Sequence, residues 1–114
     1  SSIGTPVRIR EFNNSNGVSV ILWPCSGTTG SVVWDAGVVL SKYLLSSTQP
    51  HALSHSLNGK KKVLELGSGT GLVGIAAALC LGGANVVLTD LPDVLPLLKK
   101  NVEANKHLVG NNIK

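Results

Sequence analysis

With 114 residues, 43% of them apolar and 4% aromatic, the chain has material for one hydrophobic core and at most a single domain. Its formal charge of +4 comes from ten basic and six acidic residues dispersed along the sequence, the one basic cluster being Lys60-Lys61-Lys62; that cluster reads as the solvated entrance to a strand, so a nucleic-acid footprint finds no support. Two cysteines far apart, Cys25 and Cys80, exclude a disulfide framework and suit a reducing compartment, with Cys80 as a small core residue.

The N-terminal residues are polar and interrupted by Gly4 and Pro6, which is not a secretory signal pattern. Val7 to Phe12 alternates apolar and charged residues, Asn13 to Gly17 supplies turn chemistry, and Val18 to Trp23 resumes a strand-like run. Together they predict a β-hairpin. A polar loop follows from Pro24 to Gly30. Apolar residues then recur at helical spacing, predicting a helix that begins near Val32 to Asp35 and ends by Ser46. His51 and His55 stand four apart in the loop-rich stretch beyond it, but without a third ligand they read as surface histidines rather than a metal site.

Val63-Leu64-Glu65-Leu66-Gly67-Ser68-Gly69-Thr70-Gly71-Leu72-Val73-Gly74 predicts a strand running into a glycine turn that opens onto a helix over Leu72 to Leu81. Glycine at 67, 69 and 71 allows positive φ and leaves no Cβ in the way, so a ligand can lie directly on the main chain. Ala84 to Thr89 predicts a second strand, ending on Asp90, nineteen positions after Gly71. A carboxylate at that place in a βαβ unit can accept both hydroxyls of a nucleoside ribose. Gly69, Gly71 and Gly74 also form a GxGxxG pattern that admits a nicotinamide cofactor. Glu65 argues for a different ligand. Buried parallel strands normally carry apolar residues there, and a carboxylate at the strand end can face the ammonium group of S-adenosylmethionine. The apolar run from Leu72 to Leu88 is broken by Gly82, Gly83 and Asn85, so it splits into helix, turn and strand rather than spanning a membrane, and a soluble protein is expected. Pro92 suits the first turn of a last helix over Asp93 to His107, with Pro96 early enough not to break it. Asn111 to Lys114 reads as the approach to another strand.

The Trp34-Asp35-Ala36-Gly37 segment, the glycine turn, Leu88-Thr89-Asp90-Leu91-Pro92 and Asn101-Val102-Glu103-Ala104-Asn105, in that order and spacing, closely resemble the seven-stranded methyltransferases of the protein-lysine methyltransferase-like 21 group. The resemblance covers nearly the whole chain. It implies an α/β fold, a Rossmann-like seven-stranded sheet that is incomplete here, with an N-terminal hairpin and loop over 1–30 and a partial methyltransferase domain over 31–114. It implies methyl transfer from S-adenosyl-L-methionine to a lysine of a protein substrate, in the cytoplasm or the nucleus, with no nucleic acid or membrane partner. By the match, Gly67, Ser68 and Gly69 form the loop under the cofactor, with Gly71 completing the turn. Asp90 takes the ribose, Glu65 faces the methionine end and Trp34 lines the pocket; a core tryptophan beneath the sheet is the plainer alternative for Trp34. The groups that activate the substrate amine lie, in that family, beyond Lys114, so the chain is expected to carry the cofactor-binding half and to be inactive alone. It is also expected to associate through an open sheet edge or to be destabilised. A nicotinamide-dependent oxidoreductase and a non-catalytic binding module are the competing readings.

Overall fold

A computed structural model of the chain describes residues 10–13, 19–23, 33–45, 62–80, 85–110 and 113–114. The elements in chain order are β1 (Arg10–Asn13), β2 (Ser19–Leu22), α1 (Asp35–Leu45), β3 (Lys62–Glu65), α2 (Leu72–Cys80), β4 (Asn85–Leu88), α3 (Leu95–Ala104) and α4 (Lys106–Val109). The fold is α/β, with a parallel sheet and a separate antiparallel hairpin.

β3 and β4 pair in parallel, Val63 opposite Val86 and Glu65 opposite Leu88, and α2 is the crossover between them, as a parallel connection requires. On the other side of β4, Ile113 bridges Val86 in parallel. The Lys114 N–H donates to the Val86 carbonyl and the Leu88 N–H to the Lys114 carbonyl. The approach to another strand expected at the end of the sequence is therefore in place, beside β4. Among the described residues no strand pairs with the far edge of β3.

Because successive strand residues point to opposite faces, Val86 and Leu88 share one face and pack with Leu72 and Ile75 of α2, Leu98 and Val102 of α3, and Val20 and Leu22 of β2. The hairpin thus enters the same core as the sheet. α1 lies against α2, where Leu44 meets Ala77. On the opposite face Leu64 is 63% exposed and Val87 is also open to solvent.

Several boundaries differ from expectation. Asn13 belongs to β1 and pairs with Ser19, so β1 runs one residue into the run of turn-forming residues. Trp23 leaves β2 because its N–H donates to the Asn101 side chain at 2.7 Å. The last helix starts at Leu95, not Asp93, because Pro96, which has no N–H, must sit in its first turn. That helix then stops at Asn105, whose side chain donates to the Asn101 and Ile21 carbonyls, and α4 follows as a separate turn. Cys25, His51, His55, the residues joining the hairpin strands and Lys60-Lys61 fall outside the described residues.

Candidate functional site

β3 delivers its chain into the glycine turn, which is fastened to the end of β4 by backbone bonds. The Ser68 N–H donates to the Thr89 carbonyl at 2.8 Å. The Glu65 carbonyl accepts from the Thr89 N–H at 3.0 Å and from its hydroxyl at 2.7 Å. Gly67, Gly69 and Gly71 take φ of 66°, 57° and 93°, a region L side chains rarely enter. Their reasons for being glycine diverge. A Cβ on Gly67 would meet nothing within 4 Å, so there only the backbone angle matters, whereas on Gly71 it would also stand 2.9 Å from a Leu98 methyl. Gly71 is buried against Leu98, Ile75 and Leu88; it serves the packing under the turn and is not among the residues that line the cleft.

That cleft, of about 210 Å³, is lined by Val33, Trp34, Gly37 and Glu65 and by the loop residues 67–70, with Leu72 and Val73 at the start of α2. α1 brings Trp34 to the loop, which it precedes by 33 positions, by packing against α2; a Cβ on Gly37 would make only ordinary contact with Val73, at 3.6 Å. Trp34 is 60% exposed, so it is a wall of the cleft and not a core residue beneath the sheet.

Glu65 lines the cleft beside the loop. Burial pushes its carboxyl above the ordinary carboxylate range, opposed by the Ser68 side chain and the Gly74 N–H and reinforced by the negative charge of Asp90. Neither of those polar groups closes a hydrogen bond with Oε1, which is buried without a partner. A buried, unpartnered carboxylate oxygen is costly, and a cationic donor offsets that cost. Asp90 stands at the end of β4. Its Oδ2 accepts from the Gly69 N–H at 2.7 Å and its Oδ1 from the Leu91 N–H at 2.7 Å. Each carboxylate oxygen keeps a second lone pair for a ligand hydroxyl. Asp90 therefore shapes the loop as well as standing beside it.

Two residues of this region carried no separate role in the sequence. Asn101 on α3 and Asn105 at its C-terminal cap, both 0% exposed, stand four positions apart and bond to the backbone of Ile21, Trp23 and Thr70. Their signal was the recurrence of asparagine on the buried stripe of a helix, where polar residues are rare unless paired. Among the described residues no group of three or more His, Cys, Asp or Glu could hold a metal ion. Likewise no described helix is long and apolar enough to cross a membrane.

Residues 13–114 match the family model for lysine methyltransferases. The chain is 44% identical over 110 residues to the protein-lysine N-methyltransferase rrg1 of Schizosaccharomyces pombe, covering 94% of this chain and 34% of that protein. It is 45% identical over 89 residues to the protein-lysine N-methyltransferase EFM6 of Saccharomyces cerevisiae (68% and 35%). It is 53% identical over 75 residues to the protein N-lysine methyltransferase METTL21A of Mus musculus (66% and 30%). The chain thus spans about a third of the length of these relatives.

Proposed function

The chain belongs to the lysine methyltransferase family, and from that premise we propose that it forms the S-adenosylmethionine-binding part of an enzyme that methylates lysine side chains of protein substrates. The observation that carries the cofactor assignment is the unpartnered Oε1 of Glu65 in a cleft floored by positive-φ glycines. The residues fit the group. Glu65 would take the ammonium of the methionine end, the backbone of Gly67, Ser68 and Gly69 would lie beneath the ligand, Asp90 would accept from the ribose, and the exposed ring of Trp34 would wall the cleft. At about 210 Å³ the cleft is smaller than pockets that enclose a whole ligand of this size, and it suits the part lying against the loop.

When bound, S-adenosylmethionine supplies a methyl group already activated by its positive sulfur. The contribution of this chain is alignment: a loop fastened at Thr89 and Asp90 fixes the ligand before the amine arrives, which lowers the entropic part of the barrier. A lysine amine with an ordinary pKa near 10.4 must also shed its proton. With Glu65 and Asp90 assigned to the cofactor, the groups that desolvate that amine belong elsewhere in the protein. We place this activity in the cytoplasm or the nucleus. The edge of β3 that no described strand occupies is a surface on which further strands or a second copy would pair.

Calorimetric titration with S-adenosylhomocysteine, with NAD as the comparison, tests the reading. The expected result is binding of the first and not the second. Asp90→Ala should weaken binding by about 1–3 kcal/mol, the loss for leaving polar partners unsatisfied. A thermal shift with NAD alone would overturn the cofactor assignment, and unchanged affinity in the variant would remove Asp90 from the site.

A further inference from the structure

The edge of β2 meets a helix instead of a strand. The Ile21 N–H donates to Asn105 Oδ1 at 3.0 Å, and Asn105 Nδ2 donates to the Ile21 carbonyl at 2.8 Å. Two residues on, the Trp23 N–H donates to Asn101 Oδ1 at 2.7 Å, and Asn101 Nδ2 donates to the Trp23 carbonyl at 3.2 Å. The match is geometric: four helical residues advance about 6 Å and two strand residues about 6.6 Å, so carboxamides at i and i+4 reproduce the donor and acceptor spacing of a neighbouring strand. Asn101 makes one bond that Asn105 does not. Its Nδ2 also donates to the Thr70 carbonyl at 2.8 Å, and Thr70 lines the cleft beside Gly69.

We infer that Asn101 is a positioning residue that couples the N-terminal hairpin to the glycine loop, so that the ligand-holding shape of the loop depends on β2 being docked. The inference rests on the loop being the cofactor seat. A single carboxamide, 0% exposed, satisfies carbonyls of both partners at once, so neither can shift without leaving a buried polar group unpaired. Lys100, the neighbour of Asn101, lies 4.2 Å from the centroid of the Trp23 ring, a second contact between α3 and the end of the hairpin.

Asn105 is the internal control, since it has the same residue type and burial, caps the same helix and meets the same hairpin edge but has no bond to the loop. Asn101→Asp and Asn105→Asp each turn a donor into a carboxylate facing carbonyls, so both should lower the thermal midpoint. At a temperature where circular dichroism shows both variants folded, Asn101→Asp should weaken S-adenosylhomocysteine binding tenfold or more. It should also speed hydrogen exchange at the Gly69 and Gly71 amides about tenfold. Asn105→Asp should stay within twofold on both measures. Equal effects of the two substitutions, or an unchanged Asn101→Asp, would overturn the coupling. Failure of the wild-type protein to bind S-adenosylhomocysteine would instead remove the cofactor reading, and the exchange rates would still decide whether hairpin and loop are joined. Should the variants not fold, native-state exchange of the wild-type protein decides: Trp23 and Gly71 amides opening in one step support the coupling, and independent opening refutes it.

Discussion

Replacing Gly74 by alanine should destabilise the protein, although alanine is the better helix former. Gly74 lies within α2, where helix propensity alone favours alanine over glycine by about 1 kcal/mol. Space decides the other way. A Cβ at position 74 would overlap the Leu88 side chain and stand 2.9 Å from Glu65 Oε1. Leu88 is buried between α2 and α3, so its methyls have little room to yield, and overpacking of this kind costs roughly 1–3 kcal/mol. The net expectation is a loss of up to about 2 kcal/mol for alanine and a larger loss for valine, measured by urea unfolding, against a total of about 5–15 kcal/mol for a domain of ordinary stability. The same substitution presses on Glu65, so ligand affinity should fall beyond what the loss of stability explains. An alanine variant more stable than wild type would mean that the helix can move off β4, contrary to the tight packing of this face.

Glu65→Gln should weaken S-adenosylhomocysteine binding by about 2–3 kcal/mol, on the order of a hundredfold, the value of a hydrogen bond to a charged group in a buried setting. It should also abolish a pH dependence. Burial, with the charge of Asp90 in support, raises the Glu65 carboxyl above its ordinary value of 4.5, so between 4.5 and the raised value the folded state holds a proton that the unfolded state releases. The ligand-free protein therefore loses stability as pH rises through that window, and the glutamine variant should show a flatter profile. Binding an ammonium group favours the ionised carboxylate, so affinity should rise with pH over the same window with release of a proton. Calorimetry in buffers of different ionisation enthalpy counts that proton. A wild-type affinity independent of pH, or the same dependence in the glutamine variant, would show that Glu65 does not face the ligand's charge.

The glycine loop was legible because its constraint is local: positive φ at three positions leaves a mark in the sequence that does not depend on distant packing. Strand, turn, helix and strand from Val63 to Leu88 followed from the same short-range logic. Within that pattern, however, Gly71 could not be told from Gly67, since one answers to Leu98 and the other to the backbone alone. Trp34 could be brought to the loop only through resemblance, because its position depends on how α1 packs against α2. Glu65 was visible as a misplaced carboxylate, yet its orphaned oxygen is a matter of geometry. The end of α3 was misjudged because apolar spacing continues past Asn105, while the helix stops there to bond a strand more than eighty positions earlier.

That same contact sets an order of events. Ile21 and Asn105 are 84 positions apart and Trp23 and Asn101 are 78 apart, whereas β3, α2 and β4 lie within a single stretch of 27 residues, from 62 to 88. Closing the longer loop costs more chain entropy and returns nothing until α3 has formed and presents both carboxamides. The parallel unit is therefore expected to assemble first and the hairpin to dock last, as a bolt across a frame already standing. Until it does, the core positions that receive Val20 and Leu22 stay uncovered, and the glycine loop has yet to be held in the shape that seats a ligand.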